Sequence, residues 1–299
     1  MIHTHLQALP HGITLSCRAA GEKGRPVLMF LHGFPEAAFV WDGLLEHFSQ
    51  PEHGGYRCIA PNLRGFERSS APTDVAAYRA KHLVQDIAAL IEAEGGHLAG
   101  LIAHDWGGAV AWNLAASQPH WMDKLVIINS PHPATFLREL QQSPAQQAAS
   151  AYMNFLIRPD AEALLAENDY RRLWPLFVNM GATDGQNAWL TEAVKQQYRD
   201  VWACGLHGGC NYYRASPLRP ATPQDPAASA ISFSRELFTV TLPTLVIWGL
   251  GDTALLPGLV DGLDDFVPQL QLERVTGATH WIVHEQPELV AGHIKAFLG

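Results

Sequence analysis

The sequence has no long apolar run, no cluster of basic residues and no cysteines at metal-ligand spacing. A helix that spans a bilayer needs about 20 apolar residues in succession, and the first residues lack the basic start and apolar core of a signal peptide. We therefore expect no membrane segment and a cytoplasmic protein. The formal net charge is −9 over 299 residues. Because no basic patch interrupts this acidic balance, we expect neither a nucleic-acid partner nor binding to an anionic membrane surface.

Only four cysteines are present, and they form no CxxC pair: Cys17, Cys58, Cys204 and Cys210. This low number predicts reduced thiols rather than a disulfide framework. The chain has 15 histidines but no HExxH motif, and we expect no metal ion and no cofactor. Hydrophobic residues make up 47% of the chain and charged residues 16%. This composition and length suit one large domain, or a domain with an inserted subdomain.

The first half of the chain alternates short strand patterns with helical patterns. The strand patterns, rich in apolar residues, lie at 13–21, 26–33, 56–65, 98–103 and 124–130. The helical patterns between them lie at 37–48, 78–96 and 108–117. Buried strands separated by helices of this length predict right-handed βαβ units and a mostly parallel sheet flanked by helices.

The alternation stops after residue 133. Residues 134–238 contain helical patterns and irregular proline-rich stretches, without a buried strand pattern. The alternation then resumes with two strand patterns, a helical stretch between them and a last helix, at 242–252, at 269–280 and from Pro287. We predict a core domain of residues 1–133 and 239–299 that is interrupted by a helical insertion of residues 134–238. In such open sheets, sites form at the carboxyl ends of the strands.

Titratable side chains follow three of the predicted strands. Asp105 comes just after the fourth strand, with small residues two positions before and after it, Ala103 and Gly107. This is the pattern of a nucleophile elbow, with Asp in place of the usual Ser. A helix cap is the alternative for Asp105, because Asp is common at that position. Asp252 and His280 follow later strands, and nucleophile, acid and base in this chain order are typical of one hydrolase architecture.

Five segments resemble the α/β-hydrolase superfamily, and more narrowly its branch with an aspartate nucleophile, which comprises epoxide hydrolases and haloalkane or haloacetate dehalogenases. They are HGFPE (32–36), NLRGFERSS (62–70), HDWGG (104–108), GLGDTALLP (249–257) and GATHWIVHEQPELV (277–290). The resemblance covers almost the whole chain in matching order. It implies the α/β-hydrolase fold, with a mostly parallel sheet flanked by helices and residues 134–238 as a helical cap, or lid, subdomain.

The resemblance also implies a role for each motif residue. Asp105 would attack an electrophilic carbon and form an ester intermediate. His280, oriented by Asp252, would activate a water that hydrolyses this ester. The backbone N–H groups of Phe34 and Trp106 would form the oxyanion hole for that second step.

Three other positions near the motifs are expected to play no part in the chemistry. Asn62 stands where the family usually has Asp, and we expect this change to alter a structural hydrogen bond. Asn129 stands where some relatives carry the acid partner, but an amide cannot ionise. His32 is expected to position the backbone rather than to act as a second base.

Two tyrosines of the insertion match segments that carry the cap tyrosines of epoxide hydrolases. Tyr152 lies in SAYMNFLIRP (150–159), and CNYYRASP (210–217) points to Tyr213 rather than Tyr212. A phenol, with an ordinary pKa of about 10, suits a proton donor to the alkoxide that forms when an epoxide opens. The remaining tyrosines are expected to be packing residues: Tyr56, Tyr78, Tyr170, Tyr198 and Tyr212.

The sequence therefore favours an epoxide hydrolase that forms a vicinal diol from a small apolar epoxide and water. One alternative is a haloalkane or haloacid dehalogenase with the same nucleophile, because Trp106 is shared with haloalkane dehalogenases. Phe34 replaces their usual Asn, however, and Trp106 and Ala109 stand where arginines would bind a carboxylate. A non-catalytic ligand receptor on this fold is the other alternative. The natural substrate, the stereochemical preference and the oligomeric state, with a homodimer as one option, stay open.

Overall fold

A single sheet organises the structure, a computed structural model that describes residues 1–184 and 188–299. Within these ranges its strands are β1 (His3–Ala8), β2 (Thr14–Ala20), β3 (Val27–Leu31), β4 (Arg57–Pro61), β5 (Gly100–His104), β6 (Leu125–Ile128), β7 (Thr244–Gly249) and β8 (Leu270–Val275). Their order in the sheet is β1-β2-β4-β3-β5-β6-β7-β8. β2 pairs antiparallel with both β1 and β4, and every other pair is parallel. The sheet is therefore mostly parallel, as the alternation of patterns predicts.

The helices follow the strands in the order that βαβ units require. In the described ranges they are α1 (Asp42–Ser49), α2 (Ala80–Ala93), α3 (Asp105–Ser117), α4 (Pro133–Gln142), α5 (Pro144–Ala149), α6 (Tyr152–Leu156), α7 (Ala161–Tyr170), α8 (Trp174–Val178), α9 (Glu192–Ala203), α10 (His207–Ala215), α11 (Ile282–Glu285) and α12 (Pro287–Leu298). None of the helices described is both long enough and apolar enough to cross a membrane.

Both faces of the central strands are buried, because successive side chains of a strand point to opposite faces. In β3, Met29 and Leu31 enter one apolar core, whereas Leu28 and Phe30 enter a second core on the other face. The apolar stripes of α2 and α3 pack on the first core, and those of α1 and α12 pack on the second. The continuous apolar runs of the sequence therefore correspond to strands that are covered on both sides.

Residues 134–238, the inserted segment, connect β6 to β7. Its described part contains helices and 3-10 turns but no strand of the sheet. Its helices contact loops that follow β3 and β4: Trp202 of α9 donates its indole N–H to the Pro35 carbonyl at 2.7 Å, and Tyr212 of α10 donates its hydroxyl to the Arg64 carbonyl at 3.0 Å. The inserted segment therefore lies over the carboxyl ends of parallel strands.

In two places the structure adds or lacks an element relative to the sequence prediction. β1 was not predicted, because its residues HTHLQA are mostly polar and its side chains are exposed or partly exposed at the sheet edge. Its pairing with β2 across a turn at Gly12, where φ is 84°, produces the strand. The helical stretch predicted between β7 and β8 contains only short 3-10 turns, Pro257–Val260 and Leu263–Asp265, and Gly262 lies between them at a φ of 69°.

Candidate active site

Asp105 lies where β5 runs directly into α3. Its backbone φ is 48°, in the left-handed region that costs a residue with a side chain about 1–3 kcal/mol and persists where the surroundings enforce it. The hydroxyl of Ser130, at the end of the neighbouring strand β6, donates to the Asp105 carbonyl at 2.6 Å. The turn lifts the Asp105 side chain out of the sheet at the edge where β3, β5 and β6 end.

α3 begins at Asp105 and not at residue 108, where the helical pattern was predicted to start. Two glycines lie inside its first turns because neighbouring groups leave no room for a side chain. A Cβ added to Gly107 would lie 2.4 Å from the Leu31 carbonyl oxygen, and one added to Gly108 would lie 2.3 Å from the Ser130 Cβ. The close packing of α3 against the strand ends therefore requires glycine at both positions, although glycine has a low helix propensity.

The carboxylate of Asp105 is bound from a loop outside its own helix. Its Oδ1 accepts a hydrogen bond from the Phe34 backbone N–H at 2.8 Å. A Cβ added to Gly33 would lie 2.3 Å from the Asp105 Cβ, so the loop can approach only without a side chain there. Among the described residues, no N–H of α3 donates to this carboxylate, and Asp105 is therefore not a simple helix cap. Trp106 follows in the first turn of α3, where an N–H has no acceptor within the helix.

His280 and Asp252 form a buried pair beside Asp105. His280 Nδ1 lies 2.7 Å from Asp252 Oδ2, and His280 Nε2 lies 3.7 Å from Asp105 Oδ2. The other oxygen of Asp252 accepts the backbone N–H groups of Ala254 and Leu255 at 2.9 and 2.8 Å. These bonds fix the carboxylate and thereby the orientation of the imidazole.

The charges of this pair stabilise each other. Burial alone would lower the pKa of His280, but the charge and hydrogen bond of Asp252, with further contributions from Asp105 and Glu36, raise the pKa to about 9. Burial alone would raise the pKa of Asp252, but His280 outweighs this effect and lowers the pKa. In the free protein at neutral pH, His280 is therefore protonated between two carboxylates.

Asn129 supports this pair without ionising. Its amide N–H donates to Asp252 Oδ2 at 2.8 Å, and its amide oxygen accepts the Gly249 N–H at 2.9 Å. Asn62, the departure from the family pattern, likewise makes structural bonds: its side chain accepts the Ala38 N–H and donates to the Ser16 hydroxyl, at 2.8 and 2.7 Å.

Tyr152 and Tyr213 reach the same site from the inserted segment. Tyr152 begins α6, Tyr213 lies on α10, and their ring centroids are 6.1 Å apart. The Tyr213 ring packs edge-to-face against Trp106 at 5.0 Å and Phe34 at 5.4 Å. Burial raises the pKa of both phenols, and the negative charge of Asp105 adds to this effect. Both hydroxyl groups therefore keep their protons at neutral pH.

Tyr212 differs from its neighbour Tyr213 in the partner of its hydroxyl group. The Tyr212 hydroxyl donates to the Arg64 carbonyl, and its ring packs against Phe66 and Tyr78 at 5.4 and 5.6 Å. Its hydroxyl is thus engaged in the contact between α10 and the core loop, which favours Tyr213 as the residue that acts in the site.

α10 contacts the core loop through two glycines. A Cβ added to Gly208 would lie 2.3 Å from the Cα of Gly65, and a Cβ added to Gly65 would lie 2.7 Å from the Cα of Gly208. The two backbones therefore touch without a side chain between them. This contact fixes the distance of α10, and with it Tyr213, from the sheet.

A cavity of about 270 Å³ lies between the sheet edge and the inserted segment. Asp105, Trp106, Tyr152 and Tyr213 all line it. The rest of its wall is mostly apolar and includes Leu83, Val110, Phe136, Met153, Phe233, Phe238 and Leu255. The cavity therefore offers an apolar ligand a position beside one carboxylate and two phenols.

A buried polar cluster behind His280 was not predicted from the sequence. Glu36 is 1% exposed, and its carboxylate contacts His104 Nδ1 at 3.0 Å, His284 Nε2 at 2.9 Å and the Tyr198 hydroxyl at 3.0 Å. His104 Nε2 in turn bonds the His280 carbonyl oxygen at 2.9 Å. The signal in the sequence was that Glu36, His104 and His284 belong to the HGFPE, HDWGG and GATHWIVHEQPELV segments.

The histidines of this cluster hold the pKa of Glu36 well below its usual range, although burial opposes the effect. Across residues 1–184 and 188–299, no three His, Cys, Asp or Glu side chains are grouped so that they could hold a metal ion.

His32 contacts the backbone of a neighbouring loop. The Leu63 N–H donates a hydrogen bond to His32 Nε2 at 3.0 Å, as expected for a histidine that positions the backbone.

Comparisons with known proteins define the class to which this chain belongs. The model of the family described as alpha/beta hydrolase fold matches residues 26–287. The chain is 35% identical to the AB hydrolase superfamily protein YfhM of Bacillus subtilis (strain 168), over 96% of this chain and 95% of that protein. The α/β-hydrolase fold predicted from the sequence is thus confirmed.

More specific relatives identify the branch. The chain is 31% identical to epoxide hydrolase 4 of Mus musculus, over 99% of this chain and 79% of the relative. The solved structure of Bacillus megaterium epoxide hydrolase with an inhibitor is similar at a TM-score of 0.88 and 28% identity, over 98% of this chain and 99% of that chain. An epoxide hydrolase from metagenomes of hot environments has a TM-score of 0.86 and 36% identity, over 100% of this chain and 99% of that chain. The chain belongs to the epoxide hydrolase family of the α/β hydrolases.

Proposed function

We propose that this chain hydrolyses a small apolar epoxide to a vicinal diol through a covalent ester on Asp105. One observation carries the proposal: a carboxylate and two phenols line one mostly apolar cavity, and a buried His–Asp pair lies beside that carboxylate. Membership of the epoxide hydrolase family supports the same reaction.

In the first step, Asp105 opens the epoxide ring. Its Oδ1 is bound by the Phe34 N–H, so Oδ2 attacks a ring carbon from the side opposite the ring oxygen. The carbon–oxygen bond of the ring breaks, an ester bond to Asp105 forms, and the ring oxygen takes a proton from Tyr152 or Tyr213. The raised pKa of both phenols keeps this proton available before the reaction.

Formation of the ester prepares His280 for the second step. The charge of Asp105 helps to raise the pKa of His280, and esterification removes that charge. The imidazolium then releases its proton more readily, and this proton passes to the phenolate, so that the phenol and the imidazole are both neutral before the second step. The site thus contains a neutral imidazole only once the intermediate has formed.

In the second step, His280 takes a proton from a water that attacks the ester carbonyl carbon of Asp105. The N–H groups of Phe34 and Trp106 stabilise the negative charge on the carbonyl oxygen. The ester bond then breaks and the diol oxygen receives the proton from His280. The Asp105 carboxyl group passes its own proton to His280, which restores the carboxylate and the imidazolium of the free protein. Asp252 keeps the imidazole oriented and stabilises its charged form.

In this proposal, the chain divides into two functional parts. Residues 1–133 and 239–299 form the core domain, which supplies the nucleophile, the base, the orienting acid and the oxyanion hole. Residues 134–238 form a helical cap, or lid, subdomain, which supplies the two phenols. The reaction requires no cofactor.

The two phenols also favour epoxides over halides as substrates. A leaving halide is stable without a proton, so a dehalogenase would have no use for two buried proton donors. Halide release from a panel of small haloalkanes, measured beside diol formation from styrene oxide, separates these activities. Ligand binding without any turnover would instead support the non-catalytic receptor.

A single turnover in ¹⁸O-labelled water tests the covalent mechanism. With enzyme in excess over epoxide, the label is expected in the Asp105 carboxylate, because water attacks the ester carbonyl. The diol should then contain only the oxygen of the epoxide and one oxygen from Asp105. Peptide mass spectrometry measures the label, and enzyme incubated without epoxide is the control. Label found only in the diol would contradict the ester intermediate.

A further inference from the structure

One face of α3 lines the cavity from Asp105 onwards. Asp105, Ala109 and Asn113 lie on one face of this helix at intervals of four residues, and all three line the cavity. Eight residues of helix correspond to about 12 Å, at a rise of about 1.5 Å per residue. The space beside α3 can therefore hold a substituent of roughly this length.

Beside His280, aromatic side chains pack on one another, and none of them lines the cavity. Trp281 packs edge-to-face on the His280 ring at 4.7 Å, and Phe177 packs on Trp281 at 4.5 Å. Tyr198 and Trp202 complete this aromatic cluster, with Phe177 to Tyr198 at 4.9 Å. Phe177 and Tyr198 are 0% exposed, and Trp202 and Trp281 are 3% exposed, so these side chains leave no space for a ligand.

The walls of the cavity also restrict the chemistry of the substituent. Apart from Asp105, no charged side chain lines the cavity among the residues described. An anionic substituent would meet the Asp105 carboxylate without a compensating cation, and a cationic one would be buried among apolar residues without a partner. The cavity therefore suits a neutral, apolar group.

This asymmetry limits the substitution of the epoxide ring. When Asp105 attacks a ring carbon and the phenols hold the oxygen, trans substituents on the two carbons point in roughly opposite directions. When one of them extends along α3, we expect the other to face the aromatic cluster of Phe177, Tyr198, Trp202 and Trp281. Because none of these side chains lines the cavity, we expect room for only hydrogen or a methyl group at that second position.

Building on the function proposed above, we propose that the substrates are epoxides with one long apolar substituent and only hydrogen or methyl on the other carbon. The long substituent lies along α3, between Asp105 and Asn113. The filled space on the His280 side excludes epoxides whose two carbons both carry long chains.

Isomeric epoxides of equal composition test this substrate class. We would measure kcat/KM for 1,2-epoxyoctane, trans-2,3-epoxyoctane and trans-4,5-epoxyoctane. The 2,3- and 4,5-isomers are both disubstituted, so substitution affects the reactivity of the ring equally in the two compounds. The 2,3-isomer, which presents a methyl group to the aromatic cluster, should exceed the 4,5-isomer, which presents a propyl group, by about tenfold or more.

The possible results separate the substrate class from the function. Equal values for the 2,3- and 4,5-isomers would overturn the proposed substrate class and leave epoxide hydrolysis in place. A failure to form diol from all three isomers and from styrene oxide would overturn epoxide hydrolysis and the substrate class together.

A substitution in the cavity wall tests the direction of the long substituent. Ala109→Phe adds a ring to the face of α3 that lines the cavity, and Ser117→Phe adds the same ring at an exposed position of the same helix. The ratio of kcat/KM for 1,2-epoxyoctane to that for 1,2-epoxybutane should fall about tenfold in Ala109→Phe. It should keep its wild-type value in Ser117→Phe. A wild-type ratio in Ala109→Phe would overturn the position of the long substituent along α3.

Discussion

His280 Nε2 lies 3.7 Å from Asp105 Oδ2, whereas His280 Nδ1 lies 2.7 Å from Asp252 Oδ2. Only the shorter contact is a hydrogen bond. The imidazole is thus bound to one carboxylate and merely faces the other. In the proposed mechanism, Asp105 Oδ2 is consequently free to attack a substrate, while His280 remains in position to act on the ester that this attack forms.

His280→Gln should separate the two steps of the proposed reaction. Asp105 can still form the ester in this variant, but no base activates the water, so the covalent intermediate should accumulate. Intact-protein mass spectrometry should show an added mass equal to that of the epoxide, with less than one equivalent of free diol per enzyme. The double variant Asp105→Asn/His280→Gln should show no adduct, and an adduct there would contradict the role of Asp105.

Tyr152→Phe and Tyr213→Phe should each slow formation of the ester by about 10²-fold, the lower end of the range for general acid catalysis. The reason is that only one phenol remains to donate to the ring oxygen. Stopped-flow tryptophan fluorescence, which is sensitive to the environment of Trp106, measures this step.

Tyr212→Phe is the matched control, because it removes a neighbouring hydroxyl that is bound to the Arg64 carbonyl. It should lower the free energy of unfolding by about 1 kcal/mol and leave the rate of ester formation close to that of the wild type. A rate loss in Tyr212→Phe equal to that in Tyr213→Phe would contradict the assignment.

Stability should fall at alkaline pH because of His280. Its pKa in the folded protein is about 9, above an ordinary value of about 6.5. The protonated imidazole therefore contributes its full stabilisation below about pH 6.5, and this contribution is lost as the pH rises through about 9. Urea titrations between these pH values should show the free energy of unfolding decrease by about 3 kcal/mol. In His280→Gln, this part of the pH dependence should be absent.

Glu36→Gln should destabilise the protein more than an ordinary surface substitution. The Glu36 carboxylate is buried against His104, His284 and Tyr198, and loss of one partner of a buried charged pair costs about 3–5 kcal/mol. Since Glu36 also helps to raise the pKa of His280, the alkaline loss of stability should be smaller and should be complete at a lower pH. Urea denaturation measures the free energy of unfolding. Glu192→Gln is the control, because the Glu192 side chain is 76% exposed.

Gly33→Ala should displace the Asp105 side chain, because the added Cβ would lie 2.3 Å from the Asp105 Cβ. Displacement of a catalytic group by about 1 Å can cost about 10²-fold in rate, so kcat/KM should fall to that extent. Gly43→Ala is the matched control, since its added Cβ meets no atom within 4 Å and alanine favours a helix. Similar kinetics for the two variants would contradict the importance of this close contact.

Asp105, Asp252 and His280 could be located from the sequence because each follows a strand of one parallel sheet. Such strands end at the same edge, so residues far apart in the chain come together there. The roles of these residues stay predictions until the variants above are measured. This reasoning does not apply to Tyr152 and Tyr213, because the helices of the inserted segment show no regular relation to the sheet. These two tyrosines were predicted only because the segments around them resemble those of epoxide hydrolases.

Other features were beyond prediction because their cause is not local. The strand β1 has a polar sequence and forms by pairing with β2. The partners of Glu36 come from three separate elements: His104 ends β5, Tyr198 belongs to α9 and His284 to α11. No periodicity in the sequence links such positions, and only the assembled fold brings them to one carboxylate.

The contact between Gly65 and Gly208 has a consequence for the redesign of this enzyme. Because backbone touches backbone there, the contact fixes the distance between the sheet and α10, the helix that carries Tyr213. Any larger residue at either position would push α10 away from the sheet. Libraries for new substrates should therefore leave both glycines untouched. Phe233 and Phe238 also line the cavity but do not belong to α10, so substitutions there can change the cavity volume without moving Tyr213.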